Sequence, residues 1–457
     1  MIERLIASGV DGFRLNFSHG NHDFFRPIFR FIREASAALS HPVAILQDLQ
    51  GPKIRVGTLK DGTPVHLIPG ARFVLTTRGA EGNDRIISTT YGNLPSDVRP
   101  GDRVLLDDGA IELRVLSVGQ TDVETEIVVG GLLEEKKGIN LPGTRISAES
   151  VTEKDLRDAH FGIEMGVDYI ALSFVRAASD ILTLRQKLGD LLTRDVHIIA
   201  KIEKPDAVKN LKEILAVSDG VMVARGDLGV EIAAEKVPLI QKRIIEQANQ
   251  AEKLVITATQ MLESMVDHPR PTRAEASDVA NAILDGTDVV MLSEETAMGR
   301  YPEKAVRTMA SIAHYTETDE EVCQYVERIR PKKLTNFTHA IVHSARAAAK
   351  MMRAGAILVL TQSGATAQLA SCQRPECPIY AFTPSEKVCH RLALVWGVSP
   401  VLLDVASPEV ALKKAEEILL EWKVVEKGDV VVIVSGSHPV RGATNMMKLG
   451  RIGDGAQ

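Results

Sequence analysis

Three apolar runs in this chain end in groups that could handle an anionic substrate. His197-Ile198-Ile199-Ala200-Lys201-Ile202-Glu203 carries a cation and a carboxylate two residues apart. Gly220-Val221-Met222-Val223-Ala224-Arg225-Gly226-Asp227 ends in a second carboxylate, and Leu254-Val255-Ile256-Thr257-Ala258-Thr259 ends in hydroxyls. Side chains alternate along a strand, so Lys201 and Glu203 are expected to point the same way, as are Thr257 and Thr259. An ammonium and a carboxylate aimed into a sheet interior are costly unless they meet a ligand or a metal. Polar groups at the carboxyl ends of parallel strands are where α/β sheets and barrels keep their active sites.

The elements that must hold these groups recur along the chain. Gly12-Phe13-Arg14-Leu15-Asn16-Phe17-Ser18 places Arg14, Asn16 and Ser18 on one face; taken alone it could also be an amphipathic edge strand. Val43-Ala44-Ile45-Leu46-Gln47-Asp48 is apolar until its end, and the turn Gln50-Gly51-Pro52-Lys53-Ile54-Arg55 adds two cations. Tyr169-Ile170-Ala171-Leu172-Ser173-Phe174 and Val289-Val290-Met291-Leu292-Ser293 complete seven strands that alternate with helical segments, the pattern of a parallel β/α sheet or barrel. A closed barrel of this kind has eight. Helix starts are marked at Thr152-Glu153-Lys154-Asp155 and Thr272-Arg273-Ala274-Glu275. Between residues 54 and 143, short alternating segments separated by turns such as Asp107-Asp108-Gly109 indicate an inserted all-β domain. The expected organisation is a barrel in two parts, 1–53 and 144–325, around the insert 54–143, followed by an α/β unit at 334–457.

With 457 residues, 45% hydrophobic and 25% charged, the chain has the composition of a globular protein of several domains. A net charge of −6 argues against wholesale binding to nucleic acid or anionic membrane, so an anion must be met by a local cluster. No run reads as a membrane span or signal peptide. Four cysteines in so long a chain suit a reducing compartment, and the cytoplasm is the expected location. Cys372, Cys377, Cys389 and His390 lack the close pairing of a zinc site and read as free thiols and an ordinary histidine.

Several blocks resemble the pyruvate kinase family. They are Arg14-Leu15-Asn16-Phe17-Ser18-His19-Gly20, Lys137-Gly138-Ile139-Asn140-Leu141-Pro142-Gly143, Ile199-Ala200-Lys201-Ile202-Glu203, Ala224-Arg225-Gly226-Asp227-Leu228-Gly229, Thr257-Ala258-Thr259-Gln260-Met261-Leu262-Glu263 and Asp285-Gly286-Thr287-Asp288. The resemblance runs the length of the chain. It implies a TIM-type (β/α)8 barrel with an inserted β-barrel lid and a C-terminal α/β regulatory domain. The implied reaction is phosphoryl transfer from phosphoenolpyruvate to ADP, giving pyruvate and ATP. Carried over by residue, Glu203 and Asp227 would hold Mg²⁺ or Mn²⁺, and Arg14 and Lys201 would meet the phosphoryl group and the enolate. Thr259 would assist protonation, Gly226, Asp227 and Ser173 would line the substrate pocket, and Asn16, Arg55 and Lys137 would serve the nucleotide. The family also implies a homotetramer and a phosphorylated effector at Thr361, Ser363, Gly364 and Thr366, where hydroxyls open a helix; ordinary capping is the alternative there.

The chain departs from the family pattern in five places. K⁺-requiring members use groups matching Asn16, Ser18 and Asp48 plus a threonine, where this chain has Leu49. They carry glutamate where this chain has Lys53, whose ammonium can replace the cation. K⁺ is therefore not expected to be required; the alternative is a Lys53 that simply points to solvent. The family's first barrel strand should precede Met1, and the expectation is that the true start lies upstream. Glu294 stands where the family has a small residue, and Gln362 where some fructose-bisphosphate-regulated members have lysine. Rival readings are another phosphoenolpyruvate-handling barrel, a lyase or mutase, and a silent effector-binding paralogue.

Overall fold

The computed structural model describes residues 1–144, 146–192, 195–319, 336–404, 408–436 and 444–453. Seven parallel strands form one sheet in sequence order: β1 (Gly12–Asn16), β2 (Ala44–Asp48), β3 (Tyr169–Leu172), β4 (His197–Ile202), β5 (Gly220–Ala224), β6 (Leu254–Ala258) and β7 (Val289–Met291). Among the described residues no ladder joins β7 to β1. The helical layer nevertheless bridges that opening. Helix α1 (Ile2–Ile6) meets the long helix Pro302–Thr318 through Arg4 and Glu303, 2.5 Å apart, and through Arg307 Nε donating to Ser8 Oγ at 3.3 Å.

Alternation along these strands sorts their side chains into two cores. Ile45, Ile170, Leu172, Ile198, Ala200, Ile202, Val221, Val223 and Val255 pack outward under the helices. Ala44, Leu46, Tyr169, Ala171, Ile199, Met222, Leu254, Ile256 and Ala258 fill the barrel interior. Interior positions just beyond the second set are Arg14, Asp48, Ser173, Lys201 and Glu203, so the polar ends of the strands converge on one mouth. Both sequence-marked helix starts are capping boxes. Thr152 Oγ1 accepts from Asp155 N at 3.1 Å and Asp155 Oδ2 from Thr152 N at 2.9 Å, and Thr272 and Glu275 repeat the exchange.

Between β2 and β3 the chain makes a six-stranded sheet and a two-stranded one, with a separate core around Phe73, Leu75, Leu106, Leu113 and Ile127. A five-stranded sheet follows the barrel, with Val398–Leu402, Ile379–Thr383, Ala356–Leu360 and Val430–Gly436 parallel and Thr444–Arg451 antiparallel at the edge. The expected boundaries at 325 and 334 lie outside the described residues. This last unit closes the barrel base. Leu394, just past the helix Glu386–Leu392, joins the interior core, and a Cβ on Gly12 would lie 2.7 Å from Leu394 Cδ2, so a larger residue there would have to displace the leucine methyl. No helix among the described residues is long and apolar enough to cross a membrane.

Candidate active site

Five interior side chains from the ends of four strands, β1 to β4, meet at the mouth of the barrel. Arg14 donates from Nε and Nη2 to Asp48 Oδ2, at 2.8 and 2.5 Å. Asp48 Oδ1 receives Ser173 Oγ at 3.2 Å and lies 3.2 Å from Lys201 Nζ. Lys201 also donates to Ser173 Oγ at 2.8 Å and lies 2.8 Å from Glu203 Oε1. That approach is off the hydrogen-bonding direction, which leaves Glu203 Oε1 buried without a hydrogen bond, whereas Oε2 accepts from Phe174 N at 2.7 Å. Phe174 is held at φ +55°, a conformation costly for a bulky residue, and it aims this amide at the carboxylate.

Burial alone would raise the pKa of Asp48, but Lys201 and Arg14 outweigh it and hold the carboxyl below its ordinary range. Burial would lower Lys201, and the charges of Asp48 and Glu203 instead raise it. Glu203 goes the other way: burial raises it, and Asp227 adds to the rise against the opposing pull of Lys201. The ring thus contains three carboxylates, Asp48, Glu203 and Asp227, against two cations, Arg14 and Lys201. A buried carboxylate oxygen held by an ion pair with Lys201, beside a second, partly exposed carboxylate, fits a hard divalent cation with oxygen ligands, Mg²⁺ or Mn²⁺.

Thr257 and Thr259 do not share a face, contrary to the alternation argument. Thr257 lies in the outward register of Val255, and its hydroxyl pairs with Thr287 Oγ1 at 2.9 Å. Strand β6 ends at Ala258, and Thr259 and Gln260 adopt φ +68° and +53°, which swings Thr259 into the mouth. Its hydroxyl accepts from Gly226 N at 2.8 Å and donates to Ala258 O at 2.6 Å. Arg225, which sequence reasoning passed over, pins this turn by donating to Thr259 O at 2.7 Å and Gln260 O at 2.9 Å. Glu295 was also passed over. It is buried and accepts from Leu262 N at 3.1 Å and Ser293 N at 2.7 Å, tying the loops after β6 and β7 together. Glu294, beside it, is exposed.

A cleft opens beside this ring between barrel and insert, lined by Lys53, Asp108, Asn140, Phe174, Lys204 and Asp227 among others. Lys53 therefore faces the cleft. Arg55 Nη1 donates to Lys136 O at 2.8 Å, and Lys137 Nζ lies 3.0 Å from Asp107 and 3.1 Å from Glu134. His19, on the loop after β1, is lowered by burial and by Arg55, Lys53 and Arg14. Asn16 Oδ1 accepts from Ser18 N at 3.2 Å, and Leu49 is buried in the outward core.

At the C-terminal loop, Thr361 Oγ1 accepts from Gly364 N at 3.0 Å and Thr366 Oγ1 pairs with Thr444 Oγ1 at 2.6 Å. Ser363 is half-buried and its carbonyl accepts from Arg391. Cys372, Cys377 and Cys389 are free, with burial pushing Cys377 up to about 11 and Cys389 up to about 12. Among the described residues no group of three or more His, Cys, Asp or Glu side chains forms a metal cluster.

The sequence pattern of the pyruvate kinase barrel domain matches residues 1–306, and that of the pyruvate kinase alpha/beta domain matches residues 339–449. The chain belongs to the pyruvate kinase family. Pyruvate kinase of Corynebacterium glutamicum is 46% identical over 99% of this chain and 94% of its own length. Pyruvate kinase 2 of Synechocystis is 45% identical over 98% of this chain and 76% of its own length. A crystal structure of a pyruvate kinase from Cryptosporidium parvum superposes with a TM-score of 0.92 at 37% identity, covering 99% of this chain and 92% of that one. The reaction of the family is the transfer of a phosphoryl group from phosphoenolpyruvate to ADP, which yields pyruvate and ATP as the last step of glycolysis.

Proposed function

We propose that the ring at the barrel mouth carries out this transfer, with Arg14, Lys201 and Thr259 as its catalytic residues. The observation that carries the reading is the buried Lys201 ammonium among Asp48, Ser173 and Glu203. Its position suits a group that neutralises charge on the transferring phosphoryl and on the enolate left behind. Arg14 uses Nε and Nη2 on Asp48, which leaves Nη1 for a phosphoryl oxygen. Ser173 and Asp48 orient Lys201 so that it needs little reorganisation when substrate arrives. Thr259, with Gly226 beside it, would deliver the proton to the enolate carbon through water. Glu203 and Asp227 would hold Mg²⁺ or Mn²⁺, which when bound supplies a Lewis acid for the substrate's carboxylate and enol oxygens.

Arg55 and Lys137, each next in the chain to a residue that lines the cleft (Ile54 and Gly138), would exchange their present partners for nucleotide phosphates, and Asn16 would join them. The insert, residues 54–143, would act as a lid that keeps water from the phosphoryl group. Barrel segments 1–53 and 144–325 would form the catalytic unit. The C-terminal unit, 334–457, would bind a phosphorylated effector at Thr361, Ser363, Gly364 and Thr366 and contribute to a homotetramer in the cytoplasm. Lys53, together with the apolar Leu49, would make bound K⁺ dispensable.

Pyruvate formation from phosphoenolpyruvate, ADP and Mg²⁺ in K⁺-free buffer tests this directly. The expected result is turnover that needs ADP and changes less than about twofold when K⁺ replaces Na⁺ at constant ionic strength. Turnover without ADP would favour a lyase or mutase. A large K⁺ activation would refute the role given to Lys53.

A further inference from the structure

Lys204 and Glu231 belong to no role assigned above, yet they are the most deeply buried ion pair beside the ring. Their side chains are 12% and 2% exposed, and Lys204 Nζ donates to Glu231 Oε1. Lys204 immediately follows Glu203. Glu231 closes the helix Arg225–Glu231 one turn after Asp227, so the two carboxylates lie on the same side of it. The pair therefore ties the end of β4 to the helix after β5, the two elements that present Glu203 and Asp227. A second contact runs through Phe174. The Lys204 ammonium sits 5.6 Å from the centre of its ring, while its amide holds Glu203 Oε2 at 2.7 Å. From the insert, Asn140 Nδ2 donates to the same Glu231 oxygen at 3.2 Å.

We infer that Lys204 and Glu231 are positioning residues that set the separation of Glu203 and Asp227 and so the affinity of the site for a divalent cation. The inference rests on the reading of those two carboxylates as metal ligands. Left to itself, the repulsion between them would drive the helix away from β4. The neighbouring pair opposes that movement without placing a cation between the ligands. The Lys204 ammonium is held by a carboxylate from the barrel's own helix, so the pair acts as a joint between the two elements that carry Glu203 and Asp227.

The test is Mn²⁺ binding to the folded chain without substrates, read by the electron paramagnetic resonance signal of free Mn²⁺. The parent would be compared with Lys204→Met, Lys204→Arg, Glu231→Gln and Asp227→Asn. Lys204→Met and Glu231→Gln are expected to weaken Mn²⁺ binding roughly 10-fold or more, as loss of groups supporting metal ligands does. Lys204→Arg should restore most of the affinity, and Asp227→Asn should remove it. If Lys204→Met does not fold, Glu231→Gln, which keeps shape and size, carries the test. Parent-like affinity in folded Lys204→Met or Glu231→Gln, with binding lost in Asp227→Asn, would overturn the inference and leave the metal reading standing. Parent-like affinity in Asp227→Asn would overturn both.

Discussion

The two ends of the barrel bury charge in opposite ways. At the base, three aspartates each precede a strand and each has its own arginine. Asp168 accepts from Ile45 N and Arg33, both at 2.7 Å. Asp219 accepts from Ile198 N at 2.8 Å and Arg185 at 2.6 Å, and Asp288 from Val255 N at 2.8 Å and Arg374 at 2.6 Å. Every one of these carboxylates thus joins the amide of a neighbouring strand's second residue to a guanidinium. At the mouth, three carboxylates share two cations, and Glu203 keeps an oxygen with no hydrogen bond. One-to-one pairing makes a joint; shared, surplus charge makes a site that gains from a ligand.

That contrast predicts different consequences for the same kind of substitution. Burial pushes Asp288 and Asp168 above the ordinary carboxylate range, so each depends on its arginine to stay charged. Arg374→Met removes the partner of Asp288 and strips two further hydrogen bonds, to Gly286 O and Asn249. It should lower unfolding free energy by roughly 3–5 kcal/mol in denaturant titration, with kcat of the folded fraction unchanged. A kcat loss larger than the stability loss would place catalytic duty at the base and break the comparison.

A smaller effect concerns pH. His197, at the start of β4, is pushed down to about 4, first by burial and then by Arg391. Unfolded, it takes up its proton near pH 6.5; folded, it resists until about pH 4. The unfolded state therefore binds more protons in that window. The stability His197 contributes is present above pH 6.5 and is lost as pH falls toward 4, by roughly 1–3 kcal/mol. Unfolding of His197→Gln should show a correspondingly shallower pH dependence between 6.5 and 4. An unchanged slope would remove His197 from the account of the base.

Strand periodicity made much of the mouth legible. Arg14, Asp48, Ser173, Lys201 and Glu203 stand at interior positions of strands whose apolar residues already announce two faces, and seven such strands could be counted from the sequence. The same rule failed at Thr257, because it assumed that β6 continues through Thr259. The left-handed turn there is fixed by Arg225, a contact across 34 residues that periodicity does not carry. The amide of Phe174 and the seating of Leu394 in the base were equally invisible, one being backbone and the other a docking of separate units. The aspartate joints left a faint signal, an acid just before each of three strands, with nothing to say that arginines would answer them.

Lys201→Met is the substitution that tests the division of labour most directly. It removes the cation at the centre of the mouth and keeps the bulk of the stem. Measured as pyruvate formation from phosphoenolpyruvate and ADP with Mg²⁺, the account predicts that kcat falls by roughly 10³-fold or more, the scale for losing a preorganised charge. The folded fraction and the denaturation midpoint should move far less than in Arg374→Met. Retention of kcat within about tenfold of the parent would contradict the claim that this ammonium carries the transfer.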